Sequence, residues 1–121
     1  MIIHHTPFNF DLTSTDGGTV EVGSYNLSTN KLGRVDIDLI ILDIVSGNVG
    51  SGKFSVYFHR FGGSAVVDRQ GVLLALTTPG TLAGASVNTS ASGNAVTSTF
   101  TGVAGRTIRV MATFHLTTIQ D

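Results

Sequence analysis

Apolar and polar residues alternate with a period of two along most of this chain, and no helical period outlasts a single turn. Thr19-Val20-Glu21-Val22 alternates as a strand. Arg34 to Ser46 is the longest strand candidate, with Val35, Ile37, Leu39 and Ile41 on one face and Asp36, Asp38, Ile40, Leu42 and Ile44 on the other. The second face turns from polar to apolar along its length, which predicts burial on both sides near its end, or a bulge. Lys53 to Phe61 places Phe54, Val56 and Phe58 opposite Tyr57, His59 and Phe61. Shorter candidates follow at Ala65 to Val67, Val72 to Thr78, Ala85 to Ser90 and Ala95 to Phe100. The last strand, Thr107 to Ile119, sets Ile108, Val110, Ala112, Phe114 and Leu116 against Arg109, Met111, Thr113, His115 and Thr117.

Turn chemistry separates these runs. Ser28 to Gly33 is polar, Gly47 to Gly52 is glycine-rich, and Gly62-Gly63, Asp68 to Gly71, Pro79-Gly80 and Ser92-Gly93-Asn94 all break strands. About eight short strands at even spacing predict an all-β fold, an antiparallel, jelly-roll-like β-sandwich. Residues 1–17 stand apart, because Pro7 and Asp16-Gly17 interrupt any regular element. They are expected to form an N-terminal arm, and residues 18–121 the sandwich domain. The arm carries Ile2, Ile3, Phe8 and Phe10, four large apolar groups that seek burial on this domain or on a neighbour.

Composition narrows the function. Thr, Ser, Asn and Gly fill 48 of the 121 positions, with 13 Val and one Glu, a strand-and-turn composition. Charged residues make up 12%, about half the usual ~25%. Seven Lys plus Arg against eight Asp plus Glu leave no basic surplus for nucleic acid or an anionic membrane surface, and neither is expected as a partner. The apolar run Leu39 to Val45 is broken by Asp43 and falls far short of the ~20 residues that span a bilayer. The N-terminal residues MIIHHTPFNFD show no signal-peptide pattern, and the starting Met is read as that of a complete chain. With no cysteine, thiolate nucleophiles, disulfides and cysteine-ligated zinc are excluded.

Candidate chemistry is sparse. Gly47 to Lys53 has the spacing of a phosphate-binding loop, G-x-x-x-x-G-K, but Phe54 stands where the magnesium-holding Ser or Thr belongs, and a strand follows instead of a helix. His4, His5, His59 and His115 lack a carboxylate or cysteine at ligand spacing, so no metal is expected. Asp36 and Asp38 point the same way from one strand, unlike hydrolytic carboxylates facing each other across a cleft, and Arg34 is near enough to pair with them. No G-x-S-x-G elbow occurs. The sequons Asn26-Leu27-Ser28 and Asn88-Thr89-Ser90 are read as chance. No catalytic residue, cofactor or enzymatic activity is expected. If Phe58 and Phe114 face the core, then Tyr57, His59, Phe61, Met111 and His115 lie on the outside. Several such groups together, on a chain poor in charge, predict a contact between subunits.

Thr99-Phe100-Thr101-Gly102-Val103-Ala104-Gly105-Arg106-Thr107-Ile108-Arg109-Val110 resembles the closing hairpin of small β-sandwich modules in tailed-bacteriophage virion proteins. Phe58-His59-Arg60-Phe61-Gly62-Gly63 and Val66-Val67-Asp68 are similar to their central hairpin, and the resemblance spans about residues 34–119. It implies an assembled, often trimeric, virion component without catalytic activity. The leading expectation is a homotrimeric capsid decoration, or cement, protein on the capsid surface, bound to the major capsid protein or another virion protein. Its arm is expected to pack on a neighbouring subunit or on the capsid. The alternative is a tail-fibre or receptor- and carbohydrate-binding module.

Overall fold

The structure is a computed structural model that describes residues 2–27 and 31–120; for residues 2–6, Leu73 and Gln120 it describes the backbone alone. Eight strands run as β1 (Ile2–Thr15), β2 (Thr19–Asn26), β3 (Lys31–Asp43), β4 (Val49–Arg60), β5 (Val66–Leu74), β6 (Ser86–Ser92), β7 (Ala95–Thr101) and β8 (Thr107–Gln120). A single 3₁₀ turn, Gly80–Leu82, lies between β5 and β6. All pairings are antiparallel. One sheet has five strands in the order β1-β8-β3-β4-β5, and the other has three in the order β2-β7-β6. The chain is therefore the all-β sandwich that the strand spacing predicts.

The core lies between the sheets, and the long alternating stripes supply it. Val35, Ile37, Leu39 and Ile41 from β3, Val56 and Phe58 from β4, and Ile108, Val110, Ala112 and Phe114 from β8 are all buried. From the smaller sheet come Val22, Val96 and Phe100. Leu82, the buried residue of the 3₁₀ turn, closes part of the open side. Tyr25 stacks at a tilt on Phe58, 4.9 Å between ring centres, and edge-on against Phe114 at 5.6 Å. Two glycines make room for these rings. A Cβ on Gly23 would strike the Phe114 ring, and one on Gly33 would come within 2.5 Å of the Phe58 ring.

Five expectations need correction. The arm is a strand: β1 pairs with β8 over its whole length, from Ile2↔Gln120 to Thr15↔Thr107. Pro7 is tolerated because β1 is an edge strand, where one side of the backbone needs no ladder donor. Phe8 and Phe10 pack edge-on against Phe114 of the same chain, at 5.9 and 6.4 Å, and Phe8 stays partly exposed. The Ile2 and Ile3 side chains lie outside the described residues. Asp16 and Gly17, both with positive φ, form the corner that carries the chain from β1 to the other sheet.

The second correction concerns Gly47 to Gly52. β4 already begins at Val49, so Gly50 and Gly52 are strand residues and the turn lies at residues 44–48. Both glycines leave space for the segment after β5: Gly50 faces the Thr77 carbonyl and Gly52 the Leu76 backbone. Third, Asp68 to Gly71 does not end a strand. β5 runs through it, with register shifts opposite Lys53/Phe54 and Tyr57/Phe58. Fourth, β3 ends at Asp43 rather than Ser46 and is not buried on both faces: Ile40 is about half exposed, and Ile44 lies in the turn beyond the strand. Fifth, the Ser28 to Gly33 turn is shorter than expected: β3 starts at Lys31, and residues 28–30 lie outside the described residues. The total of eight strands survives because β1 was missed and β5 was divided in two.

Asp43 binds three loops together at one end of the sandwich. Its carboxylate is buried and accepts hydrogen bonds from the Val45 and Ser46 backbone N–H groups and from the Thr81 hydroxyl at 2.6 Å, with the Arg106 guanidinium 3.7 Å away. The Thr81 hydroxyl foremost, then the turn's N–H groups, hold this carboxyl down to about 2, below its ordinary 3.8. A depressed carboxyl stabilises the fold above its unfolded-state pKa, and that contribution is lost as pH falls toward 2. Asp43→Ala is therefore expected to lower Tm by several degrees at pH 7, and the gap from the parent should narrow between pH 4 and pH 2. Thermal scans across that range check both. A second expectation concerns Gly50. Its Cβ position is closed by backbone, so Gly50→Ala should cost about 1–3 kcal/mol in urea unfolding through overpacking.

Candidate functional site

The outer face of the five-stranded sheet is the largest regular surface of the molecule, and pairing arranges it in rows across the strands. One row reads Thr117, Arg34, Tyr57, Arg69 from β8 through β3 and β4 to β5. The next reads Pro7, His115, Asp36, Ser55, Gly71, and the one after it Asn9, Thr113, Asp38, Lys53, Leu74. A further row brings Asp11, Met111, Ile40 and Ser51 together.

All five residues predicted to face outward do so, but they do not form one cluster. Tyr57 and His59 stand on β4, while Met111 and His115 stand on β8, with β3 between them. Phe61 lies just beyond β4, in the loop, where its exposed ring stacks on the His59 imidazole at 5.3 Å. His59 Nδ1 is 2.6 Å from Asp68 Oδ2, so β5 fixes this imidazole in place. His115 is half-buried and has interactions of its own. Met111 sits beside Ile40, and both line a depression of about 300 Å³ that also touches Phe10.

The carboxylates of this face are committed to structural partners. Asp36 accepts from the Ser55 hydroxyl and pairs with Arg34 at 3.1 Å, the partner expected from the sequence. Asp38 pairs with Lys53 at 3.4 Å. Asp11 takes a two-pronged contact from Arg109, which holds its carboxyl below the usual range. Among the described residues, no three His, Asp or Glu side chains converge as metal ligands. Gly47 to Lys53 leads into β4, so the loop offers no helix N-terminus to a phosphate.

A smaller constellation went unrecognised in the sequence. The Tyr57 ring is 38% exposed and lies between two guanidiniums. Arg69 sits over the ring, 5.9 Å from its centre. Arg34 stands opposite Tyr57 across the β3–β4 pair, and Tyr57 foremost, then Asp36, raise the already high pKa of its guanidinium. Beside them a shallow groove of about 230 Å³ is lined by Leu32, Gly33, Arg34, Tyr57, Thr117 and Ile119. Arg69 escaped notice because the bulged register of β5 hides its alternation, and its neighbours Asp68, Gln70 and Gly71 read as a turn.

No family model and no curated protein sequence matches the chain. Similarity appears at the level of fold. The tailspike protein gp49 of Acinetobacter baumannii bacteriophage Fri1, described as a capsular polysaccharide depolymerase, superposes with a TM-score of 0.50 at 10% identity over 93% of this chain. The Acinetobacter baumannii phage AM24 tailspike protein aligns over 98% of this chain with a TM-score of 0.49 and 10% identity. This chain spans 17% and 26% of those two proteins, respectively. The likeness to the Fri1 protein is thus to a portion of a much longer chain.

Proposed function

We propose that this chain is a non-enzymatic β-sandwich module of a bacteriophage tail fibre or tailspike, and that it contacts carbohydrate. The observation that carries the reading is the fold likeness to a portion of the Fri1 tailspike over 93% of the chain. It favours the tail alternative over the capsid cement expected first from the sequence. The surface adds support. Asp36, Asp38 and Asp11 on the broad sheet face tie neighbouring strands together through Ser55, Lys53 and Arg109, which suits binding rather than hydrolysis. An exposed tyrosine ring flanked by hydrogen-bonding side chains suits a sugar, which presents an apolar C–H face and a polar rim. Assembly as a homotrimer remains part of the proposal, with His59, Phe61, Met111 and His115 available on the outer face apart from the Tyr57 platform. The test is a glycan array probed with the labelled full chain, alongside its native mass by light scattering. Binding to a restricted set of glycans is expected. An array without any bound glycan, together with tight binding to undecorated capsids, would return the assignment to a shell protein.

A further inference from the structure

The geometry points to the surface around Tyr57 as a subsite for a carboxylated sugar, its pyranose ring packed against the groove side of Tyr57 and its carboxylate reaching Arg69, which lies over the ring from β5, outside the groove. The inference rests on the carbohydrate-binding reading above and names the chemical class of its ligand.

Among the described residues Lys31, Arg60 and Arg69 have no carboxylate partner, and of these three only Arg69 lies over an aromatic ring. Arg34 pairs with Asp36, Lys53 with Asp38, Arg106 with Asp43 and Arg109 with Asp11. Arg60 donates to the Leu27 and Gly63 carbonyls. Arg69 is exposed and has no carboxylate at ion-pair distance among the described residues; its contact is the Tyr57 ring. A guanidinium over an aromatic ring keeps its N–H edge free for an incoming acceptor, and a carboxylate matches that edge with two parallel hydrogen bonds.

Tyr57 is equally well prepared. Arg34 and Arg69 flank it on the neighbouring strands, and the strand pairs Arg34↔Tyr57 and Tyr57↔Arg69 fix the row. A platform held in place loses little freedom when a ligand arrives. The adjoining groove has an apolar side from Leu32 and Ile119 and a polar side from Arg34 and Thr117, on the scale of one pyranose ring. A neutral sugar would gain the stacking alone. A carboxylated one would also engage the guanidinium that has no acid partner, so the site should discriminate between them by charge.

The test is isothermal titration of the full chain with oligogalacturonate and with sialyllactose, against maltooligosaccharides and inorganic phosphate as controls. At least one carboxylated glycan should bind more tightly than the neutral one, and the preference should weaken with added salt. Arg69→Gln should lower that affinity about tenfold or more, Arg69→Lys should lower it less, and Tyr57→Ala should also weaken it. Arg109→Gln, on the same face but already paired with Asp11, should leave it unchanged. Both target positions are at the surface, and circular dichroism confirms that the variants fold.

Unchanged affinity in Arg69→Gln would overturn the inference. So would neutral glycans bound on the array while neither carboxylated probe binds, although the carbohydrate-binding reading would then stand. Phosphate binding as tightly as the carboxylated glycans would show a simple anion site and also overturn it. A Tyr57→Ala variant that turned an oligomer into a monomer would mean that a second copy covers this face. An array empty of glycans would remove the broader reading together with this one.

Discussion

Phe114→Ala is expected to cost about 3–5 kcal/mol, the range for truncating a buried phenylalanine. For a domain whose total stability is about 5–15 kcal/mol, that is a large share. Phe114 is the residue on which both sheets and the first strand meet. Phe8 and Phe10 approach its edges, Tyr25 packs against it from the smaller sheet, and Gly23 has no Cβ so that the ring fits. Truncation would leave a cavity bordered by three aromatic rings on two strands, Phe8 and Phe10 on β1 and Tyr25 on β2, which cannot collapse together without shifting one of those strands. Phe58→Ala should behave similarly, through Tyr25 and Gly33. Urea unfolding monitored by circular dichroism measures both. An unchanged midpoint for Phe114→Ala would mean that the core face has been misassigned.

Deleting residues 2–11 is expected to prevent folding or to cause aggregation. On the sequence alone these residues look like a detachable arm, and their removal would leave an intact sandwich. The register contradicts that view, because β1 covers one whole edge of β8. Without residues 2–11, the β1-facing N–H and C=O groups of β8 from Met111 to Gln120 face solvent as an open edge, a ready template for pairing with another chain. Phe10 would also leave the core cluster, and Phe114 would lose both edge contacts. The deleted protein should show lost or broadened thermal unfolding, or high-mass species by light scattering. A folded monomer with the parent Tm would restore the arm.

The fold was legible where alternation is unbroken. β3, β4 and β8 have stripes such as Val35-Ile37-Leu39-Ile41 that name both the strand and its buried face. It was illegible where a bulge breaks the parity. Val22 occupies an irregularity between the pairs Glu21↔Thr99 and Gly23↔Ser98, so Val22 and Tyr25 both reach the core although they are three residues apart. β5 disappeared for the same reason. β1 was lost to Pro7, whose meaning changes once the strand is known to be an edge. Of the candidate site, the outward face of Tyr57, His59, Met111 and His115 follows from period two alone. That Arg69 reaches Tyr57 is a fact of register between strands, which a single sequence does not encode in any local pattern.

The role of the molecule is tested most directly by immunogold electron microscopy of phage particles that carry this chain, with antibody raised against the sandwich. The account predicts gold at the tail, on fibres or spikes, with the shell unlabelled. Gold spread evenly over the capsid surface would contradict it and would identify the chain as a shell protein.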